Sequence, residues 1–564
     1  MGKRILIIGG VAGGASVAAR IRRLDEEAEI VMFEKGPHVS FSNCSLPYHL
    51  SGEIEDSQRL ILMNPGKFDA QYKIEARTNS KVIKINRTKK TITIKNIQTG
   101  KIYEEAYDKL VLSPGANPII PTLDGIASNH VFTVRNVVDI EKLNNYVKQK
   151  GIEDVAVIGG GFIGIEVAEN LVRAGKKVSL IEAQEQVMTS FDYDMVQILH
   201  KEMLEKGINL VLNDGIEKVK EKVIYLQSGK KINAQAVIMA IGVRPETTLA
   251  KKADLAIGVT GGIKVNHNYV TTDNDIYAVG DAIEVHHKIT HKKTRLALAG
   301  PAQRQARAAA DHMYGIPHRN TGVIGSSVIK IFDFNAASTG INEKMAQAAN
   351  VDYDFVYVIP SDKVGIMPKS NVMHFKLLFE VPTGRILGAQ AIGKGNVDKR
   401  IDVIATMIMM NGNLEDLKEL ELVYSPVYGT AKDVVNFAAL VGLNILNGNV
   451  KQVKVSDMRD LIENNAFIID VRERNEFEAG HLLHAKNIPL SEFRNRLDEI
   501  PKDQPVYIHC RSGQRSYNAV TTLNNLGYSN IYNVSGSFLG ISLYEYFNDQ
   551  SKNRKPIVTE YNFK

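Results

Sequence analysis

Two glycine-rich turns, each between an apolar run and a helix pattern, constrain the fold of this 564-residue chain most strongly. The first is G-G-V-A-G-G at 9–14, and the second is G-G-G-F-I-G at 159–164. A strand, a tight turn and a helix N-terminus bind a pyrophosphate through backbone N–H groups and the helix dipole. The second turn matches G-x-G-x-x-G fully, whereas Val11 replaces the middle glycine of the first. The chain is therefore predicted to bind two dinucleotides.

An acidic residue follows the next predicted strand in each of these units. Glu34 follows the apolar run Glu29–Phe33, and Glu182 follows Val178–Ile181. A carboxylate at this position accepts hydrogen bonds from ribose hydroxyls and repels a 2′-phosphate. No basic residue follows Glu182 within 183–186, so the second unit is predicted to use NADH rather than NADPH.

Further cofactor contacts are expected at two other strand ends and at the start of a helix near Ala299. Asp281, directly behind Gly280, is placed to bind a polyol hydroxyl, and a second strand ends in the turn S-P-G at 113–115. The complete set of expected cofactor-binding residues is Gly9, Gly10, Ala12, Gly13, Gly14, Glu34, Ser113, Gly115, Gly159, Gly161, Gly164, Glu182, Gly280, Asp281 and Ala299.

Cys44 lies in the segment S-F-S-N-C-S-L-P-Y (40–48) and is one of only two cysteines. A free cysteine is usually a small buried hydrophobe, but Asn43 and Pro47 make this segment turn-like rather than a strand core. We therefore interpret Cys44 as a redox nucleophile. His49, not a second cysteine, stands five residues on. Any disulfide of Cys44 therefore forms with a substrate, unless the sulfur forms an oxygen-derived adduct instead.

Arg20 and Arg23 lie three residues apart on the first predicted helix, so they share one face. They could reach the phosphate groups of a phosphorylated thiol that reacts at Cys44. A solvated basic face is the alternative interpretation of the same two residues.

The second cysteine opens the loop C-R-S-G-Q-R-S (510–516), directly after the predicted strand Val506–His509. Converging backbone N–H groups, a helix N-terminus and the charges of Arg511 and Arg515 stabilise an anionic sulfur. Chemistry at Cys510 is therefore predicted, and a purely structural role is disfavoured.

Composition excludes several classes of protein. Apolar residues make up 44% and charged residues 23% of the chain, as in an ordinary globular protein. The net charge of +6 is small for this length, and no Lys/Arg block interleaves with aromatic residues, so no nucleic-acid partner is expected. No window approaches ~18 uninterrupted apolar residues, so no membrane span is predicted. Two cysteines fit a reducing cytosol, and a cytoplasmic location is expected.

Residues 1–446 resemble the pyridine nucleotide-disulfide oxidoreductase family, in its single-cysteine branch with NADH oxidase, NADH peroxidase and coenzyme A disulfide reductase. The two dinucleotide turns, the Cys44 segment and the Gly280-Asp281 pair carry this resemblance. Residues 455–550 resemble a rhodanese domain, through the segment 470–489, which contains Asp470 and His481, and the Cys510 loop. The fused pair is similar to coenzyme A disulfide reductase–rhodanese proteins, also described as coenzyme A persulfide reductases.

The resemblance implies an α/β protein with two Rossmann-like dinucleotide-binding domains, an α+β dimerisation domain and a C-terminal α/β rhodanese domain. The implied boundaries are 1–115 with 247–322 for the FAD-binding domain, 116–246 for the NAD-binding domain, 323–446 for the dimerisation domain, 447–454 for a linker, 455–550 for the rhodanese domain and 551–564 for a tail.

The resemblance also implies FAD, NADH and coenzyme A as ligands, no metal, and a homodimer whose partner completes the site. Tyr424 matches one of the two tyrosines of the reductases, whereas Met367 occupies the place of the other and cannot donate a hydrogen bond. The residues implied in binding substrate are Arg20, Arg23, Ser40, Phe41, Asn43 and Lys73, and the sequence adds Arg511 and Arg515 around Cys510.

The expected activity is NADH- and FAD-dependent reduction of coenzyme A persulfide at Cys44, with Cys510 as a carrier of sulfane sulfur. Three alternatives remain open at the level of sequence. They are coenzyme A disulfide reduction as the main activity, an NADH oxidase or peroxidase that cycles through a sulfenic acid, and a non-catalytic flavoprotein that carries or senses sulfur.

Overall fold

The computed structural model describes residues 2–563 of the chain. They form two compact units, one with the residues up to Gln184 together with Val211–Val323, and the other with Glu185–Leu210 together with the residues from Ile324 on. The fold is mixed α/β, as predicted.

The first glycine-rich turn belongs to a parallel five-stranded sheet. The strand Arg4–Ile8 pairs in parallel with Glu29–Phe33 and with Lys109–Leu112. Ile5, Leu6 and Ile7 are fully buried, because the strand is apolar without alternation and the sheet is covered on both faces. The strand order across this sheet is Ile276–Ala278, Lys109–Leu112, Arg4–Ile8, Glu29–Phe33 and Ile74–Arg77.

The second glycine-rich turn belongs to an equivalent sheet. Asp154–Ile158 pairs in parallel with Lys177–Ile181 and with Ala236–Met239. The strand order is Asn209–Val211, Lys177–Ile181, Asp154–Ile158, Ala236–Met239 and Val131–Thr133. Both sequence-predicted nucleotide-binding units are thus strand–turn–helix units of parallel sheets.

Smaller antiparallel sheets and seven helices complete this unit among the described residues. Ser80–Asn86 and Thr91–Asn96 pair antiparallel and form a hairpin. The remaining strands are Ile102–Ala106, Ala116–Pro118, Ile216–Lys220, Val223–Leu226, Lys231–Asn233, Val243–Pro245, Val285–His286 and Lys293–Thr294. The helices are Ala12–Arg22, Tyr48–Ser51, Pro65–Tyr72, Val137–Val147, Phe162–Arg173, Thr248–Lys252 and Ala299–Met313, with single 3₁₀ turns at Asn43–Ser45, Ser57–Leu60 and Gly280–Ala282.

The second unit contains an antiparallel five-stranded sheet. Its order is Ser327–Ile331, Phe334–Gly340, Ile386–Gly393, Met373–Glu380 and Tyr353–Val358. The helices around it are Tyr193–Glu205, Glu343–Ala349, Val397–Met409, Leu414–Lys418 and Val434–Leu446.

A parallel sheet in the same unit carries Cys510. Its order is Gln452–Val453, Ile531–Val534, Val506–His509, Phe467–Asp470 and Lys486–Asn487. Gln452 and Val453 fall in the segment predicted as a linker, but they pair with Asn533 and Val534 as an edge strand. The helices are Met458–Glu463, Arg474–Glu478, Gln514–Asn525 and Ser537–Lys552, with 3₁₀ turns at Val455–Asp457, Phe493–Asn495 and Leu497–Glu499.

The segment after 550 packs against this parallel-sheet domain. Val558 forms an antiparallel bridge with Leu482, the Thr559 N–H donates to the His481 carbonyl (2.9 Å), and the Tyr561 hydroxyl donates to Asp549 (2.5 Å). Across residues 2–563, every helix is too short or too polar to span a bilayer.

Candidate functional site

Backbone crowding explains the glycines of the first turn. Gly9 has φ +100°, and a Cβ there would lie 2.0 Å from the Ser113 carbonyl oxygen. A Cβ on Gly14 would lie 1.8 Å from the Gly9 oxygen, and one on Gly13 would lie 2.5 Å from Ser113 Oγ. Only glycine allows the helix start to approach the neighbouring strand ends this closely.

The two acidic residues have equivalent hydrogen bonds. Glu34 accepts hydrogen bonds from the N–H groups of Gly10 (3.0 Å) and Gly36 (2.8 Å). Glu182 accepts them from Gly160 (2.7 Å) and Gln184 (2.9 Å). Each carboxylate is therefore fixed beside its glycine turn, where a ribose would meet it.

The first turn opens into a cavity of about 400 Å³. Its walls include Gly10, Glu34, Phe41, Asn43, Ser113, Gly115, Arg135, Gly280 and Asp281. Ala12 also lines the cavity, whereas Ala299 begins the helix Ala299–Met313 and lies outside the lining. A glycine cradle, a ribose-binding carboxylate and a cationic side chain in one cavity fit an adenine dinucleotide that carries a flavin.

Arg135 is a member of this cavity that sequence reasoning missed, because no motif surrounds it. Burial lowers the pKa of its guanidinium, while the nearby carboxylates of Asp281 and Glu34 act in the opposite direction. Arg135 thus places a positive charge in the cavity, where a diphosphate would require one.

Cys44 lies in the 3₁₀ turn Asn43–Ser45, and its side chain is exposed. The surrounding protein desolvates the sulfur on its inner side and raises the pKa of the thiol, and the charges of Glu166 and Asp281 raise it further. Cys44 is therefore accessible to a substrate, and a neighbouring cation or a bound ligand is needed to favour its thiolate.

Glu166 is the second residue that sequence reasoning missed. Burial, and then the charge of Glu169, raise the pKa of its carboxyl group to about 7. The available signal was its position two residues after Gly164, on the helix that follows the second glycine turn. The Glu166 carboxyl group therefore becomes negatively charged as the pH rises through neutrality, and this charge acts on Cys44.

Hydrogen bonds hold the Cys44 segment in place. The buried His49 lies with its Nδ1 2.8 Å from the Ile54 carbonyl, and its Nε2 accepts from the Asn144 amide at 2.9 Å. At the other end, the Ser40 N–H donates to the Gly10 carbonyl at 2.8 Å. The segment is thereby tied to the first glycine turn and to the helix Val137–Val147.

The predicted phosphate-binding cations have different environments. Arg20 is ion-paired with Asp311 at 2.6 Å. Arg23 is exposed, with its guanidinium 5.7 Å from the centre of the Tyr72 ring, and Lys73 is exposed at the end of the helix Pro65–Tyr72. A role for Arg20 in binding a phosphate would require competition with Asp311. All three assignments stay predictions.

Cys510 is only 1% exposed. The Gly513 N–H donates to its sulfur at 3.1 Å, and the Ser537 hydroxyl lies 4.0 Å from the same sulfur. The helix Gln514–Asn525 begins within this loop, so its N-terminal N–H groups face the sulfur side. Sequence reasoning missed Ser537 because it lies 27 residues from Cys510.

Side chains around the Cys510 loop form ion pairs. Arg515 makes two contacts with Glu476, at 2.6 and 2.7 Å. The buried Asp470 pairs with Arg472 at 2.7 Å. The Arg472 guanidinium also donates to the Gly480 carbonyl. Arg515 thus has a protein partner, whereas its predicted role in binding substrate stays a prediction.

Tyr424 belongs to a group of exposed apolar side chains in the second unit. Val423 is 80% exposed and Ile366 is 91% exposed, and Val427, Tyr428 and Tyr424 itself are also exposed. Val423, Tyr424, Val427 and Tyr428 thus place four exposed apolar side chains within six residues, which is typical of an interaction surface.

The carboxylates of Asp192, Asp194 and Glu343 lie close enough together to suggest a cation site. The ammonium group of the buried Lys376 occupies their centre, at 3.2, 2.7 and 2.6 Å respectively. This cluster is therefore a buried ion-pair network rather than a metal site.

Comparison with known protein families identifies the chain. Residues 3–306 match the family model "Pyridine nucleotide-disulphide oxidoreductase", and residues 326–432 match the dimerisation domain of the same family. The chain belongs to this family. It is an oxidoreductase that depends on FAD and a pyridine nucleotide, and residues 454–543 match a rhodanese-like domain.

Individual relatives agree with this assignment. A Staphylococcus epidermidis protein named coenzyme A disulfide reductase is 36% identical over 77% of this chain and 98% of its own length. The crystal structure of reduced Bacillus anthracis CoADR-RHD is 44% identical, with a TM-score of 0.94 over 98% of this chain and 99% of that one. An NAD-dependent persulfide reductase from A. fulgidus is 33% identical, with a TM-score of 0.90 over 95% and 99%.

Proposed function

We propose that this oxidoreductase reduces coenzyme A persulfide with NADH, that Cys44 is its single redox cysteine, and that Cys510 carries sulfane sulfur. The observation that carries this proposal is the exposed Cys44 in a turn whose Asn43 lines the dinucleotide cavity. The names of the relatives support the substrate class, because they combine coenzyme A disulfide reductase with persulfide reductase.

The reaction at Cys44 has two stages. The thiolate attacks the inner sulfur of the persulfide, which is the sulfur bonded to the carbon of coenzyme A. A Cys44–coenzyme A disulfide forms, and the outer sulfur leaves as hydrosulfide with the electron pair of the broken S–S bond. Two electrons and one proton then restore the Cys44 thiolate and release coenzyme A as its thiol. FAD, when bound, would supply these electrons from NADH.

Each group of residues has a separate task. The first glycine turn, Glu34, Arg135 and Asp281 hold FAD, and the second glycine turn with Glu182 holds NADH. Arg23 and Lys73, with Arg20 if it leaves Asp311, bind the phosphates of coenzyme A beside Ser40, Phe41 and Asn43. Tyr424 reaches the reacting sulfur from the other copy of a homodimer. The predicted domain boundaries and a cytoplasmic location belong to the same proposal.

The persulfide is preferred because of the leaving group. Hydrosulfide is small and needs little help, whereas a coenzyme A thiolate is bulky and gains from a hydrogen-bond donor. Met367 offers no such donor. Reduction of coenzyme A disulfide is the second candidate, favoured by the name of the Staphylococcus relative.

Anaerobic NADH oxidation with coenzyme A persulfide, coenzyme A disulfide and polysulfide, compared side by side, tests the proposal. We expect the highest kcat/KM with the persulfide, release of one hydrosulfide per NADH, and loss of turnover in Cys44→Ser. Cys510→Ser should lose sulfur transfer and keep reduction of preformed persulfide. A higher kcat/KM with the disulfide would favour the second candidate, and full turnover of Cys44→Ser would refute both.

A further inference from the structure

The Cys510 loop is held by the first turn of the helix Ser537–Lys552. The Phe538 N–H donates to the Cys510 carbonyl at 3.1 Å, and the Leu539 N–H donates to the Arg511 carbonyl at 3.0 Å. The Ser537 hydroxyl accepts from the Cys510 N–H at 3.3 Å and lies 4.0 Å from the sulfur. The position of this helical turn therefore fixes the position of the sulfur.

Ser537 has an unfavourable backbone conformation. Its φ is +49°, in the left-handed region that side chains with a Cβ avoid, and the residue is fully buried. Its hydroxyl also donates to the Val534 carbonyl at 3.3 Å. Such a conformation persists only where the surrounding structure imposes it.

The neighbouring antiparallel sheet supplies part of that constraint through Tyr357, which lies on the strand Tyr353–Val358. A Cβ on Gly536 would lie 2.6 Å from Tyr357 Cε1, and one on Gly540 would lie 3.3 Å from the same atom. The Tyr357 ring is therefore in contact with glycines on both sides of Ser537. A larger side chain at Gly536 would displace either the ring or the helical turn.

A buried histidine fixes the Tyr357 ring. The Tyr357 hydroxyl shares a hydrogen bond with His374 Nδ1 at 2.8 Å, and both side chains are buried. Burial, and then the charge of Arg511, lower the pKa of His374 to about 3, so the imidazole is neutral at physiological pH. The neutral pair needs no counterion in this interior.

We propose that Tyr357, held by His374, is a positioning residue for sulfur transfer at Cys510, so that the antiparallel sheet completes the sulfurtransferase site of the rhodanese-like domain. The Tyr357 ring packs against Gly536, Gly536 directly precedes Ser537, and the Ser537 hydroxyl accepts from the Cys510 N–H and lies 4.0 Å from the sulfur. This inference rests on the proposed role of Cys510 as the sulfur carrier.

Thiosulfate and cyanide serve as probes of this reaction. The Cys510 thiolate attacks the outer sulfur of thiosulfate, the S–S bond breaks, and sulfite leaves with its electron pair. Cyanide then attacks the outer sulfur of the Cys510 persulfide, thiocyanate leaves, and the thiolate is restored. Neither stage requires NADH or FAD, so the two activities of the full chain can be measured separately.

The test compares Tyr357→Ala, Tyr357→Phe and the matched control Tyr353→Phe in the full-length protein. Tyr353 lies on the same strand, and its hydroxyl bonds to Glu343 rather than to the Cys510 region. Because misplacement of a reacting group by about 1 Å can cost 100-fold, we expect Tyr357→Ala to lower kcat/KM for sulfur transfer at least about tenfold. Loss of one hydrogen bond should make Tyr357→Phe about fivefold slower. NADH-driven reduction should not change in either variant.

The pH profile of sulfur transfer distinguishes positioning from general stability. We expect its acid limb to move to higher pH in Tyr357→Ala, because the loop shifts and the Gly513 N–H, which donates to the Cys510 sulfur at 3.1 Å, no longer stabilises the anionic sulfur as well. An unchanged rate, or a slower rate with an unchanged pH profile, would overturn the inference. If Tyr357→Ala does not fold, wild-type behaviour of Tyr357→Phe overturns it. Retention of sulfur transfer by Cys510→Ser would instead refute the proposed function itself.

Discussion

Individual residues were predictable from sequence where a local motif fixes them. The positions of Glu34 and Glu182 follow from their spacing to the glycine turns, and the structure fixes both through backbone N–H groups. Glu166 has only its position two residues after Gly164, on the helix that follows the second glycine turn, as a sequence signal. Arg135 and Ser537 carry no such pattern, since tertiary packing alone brings them to the cavity and to Cys510. Sequence reasoning from motifs could not find residues of this kind.

The charge of Glu166 should control the reactivity of Cys44. Its pKa of about 7 means that the carboxyl group is charged mainly above pH 7, where it opposes ionisation of the Cys44 thiol. Glu166→Gln should therefore lower the Cys44 pKa and speed alkylation by iodoacetamide above pH 7. The two rates should converge below about pH 6, where the wild-type carboxyl group is already neutral.

A Cys510→Ser background leaves Cys44 as the only cysteine for this measurement. Glu153→Gln, which removes an exposed carboxylate, is the control and should not change the profile. Identical profiles for Glu166→Gln and its parent would contradict the assigned interaction.

Glu182 should determine the choice of nicotinamide cofactor. Removing its carboxylate in Glu182→Ala takes away the acceptor for the ribose hydroxyl and the repulsion of a 2′-phosphate. The ratio of kcat/KM for NADPH to that for NADH should rise at least about tenfold, which corresponds to about 1.4 kcal/mol. A wild-type ratio, measured by steady-state kinetics, would show that Glu182 does not contact the ribose.

At the scale of elements, uninterrupted apolar strands were predicted closely. Glu29–Phe33 and Val506–His509 have the predicted bounds. The first helix begins at Ala12, inside the glycine turn 9–14, because Gly13 and Gly14 continue into it. The edge strand Gln452–Val453 and the packed segment after 550 were not predicted, since each is polar and is stabilised by a distant partner, such as Asn533 or Leu482.

The first glycine turn should not tolerate a side chain. Gly9→Ala would place a Cβ 2.0 Å from a carbonyl oxygen at φ +100°. Overpacking and the left-handed conformation together should cost about 2–4 kcal/mol of unfolding free energy. The flavin absorbance of the purified protein should be lost as well.

Gly66→Ala is the control for this variant, because Gly66 is outside the cavity lining and the nearest atom to its Cβ would be 3.6 Å away. It should keep both flavin and stability, as measured by absorbance and urea unfolding. Normal flavin content in Gly9→Ala would show that the turn is not the flavin cradle.

At the scale of the whole molecule, the exposed apolar side chains of residues 423–428 are a candidate surface for contact with a second copy. The match to the family's dimerisation domain supports the same conclusion. Sequence reasoning predicted a homodimer from family resemblance, and the structure adds that Val423 and Ile366 in this unit are apolar and exposed.

Val423→Asp should convert the dimer to a monomer in light scattering. A charge in a desolvated interface is costly, so NADH-driven reduction should fall at least about tenfold as the partner's residues are lost. Val259→Asp is the control, because Val259 is 91% exposed in the other unit. A dimeric and fully active Val423→Asp variant would place the interface elsewhere.

The most direct test of the central claim is the mass of the peptides after reaction without NADH. Oxidised, FAD-loaded protein is mixed anaerobically with one equivalent of coenzyme A persulfide, quenched with acid and digested. A coenzyme A adduct in disulfide linkage on the Cys44 peptide, with one hydrosulfide released per adduct, is the predicted result. An unmodified Cys44 peptide, or an adduct found only on the Cys510 peptide, would contradict the claim that Cys44 is the redox nucleophile.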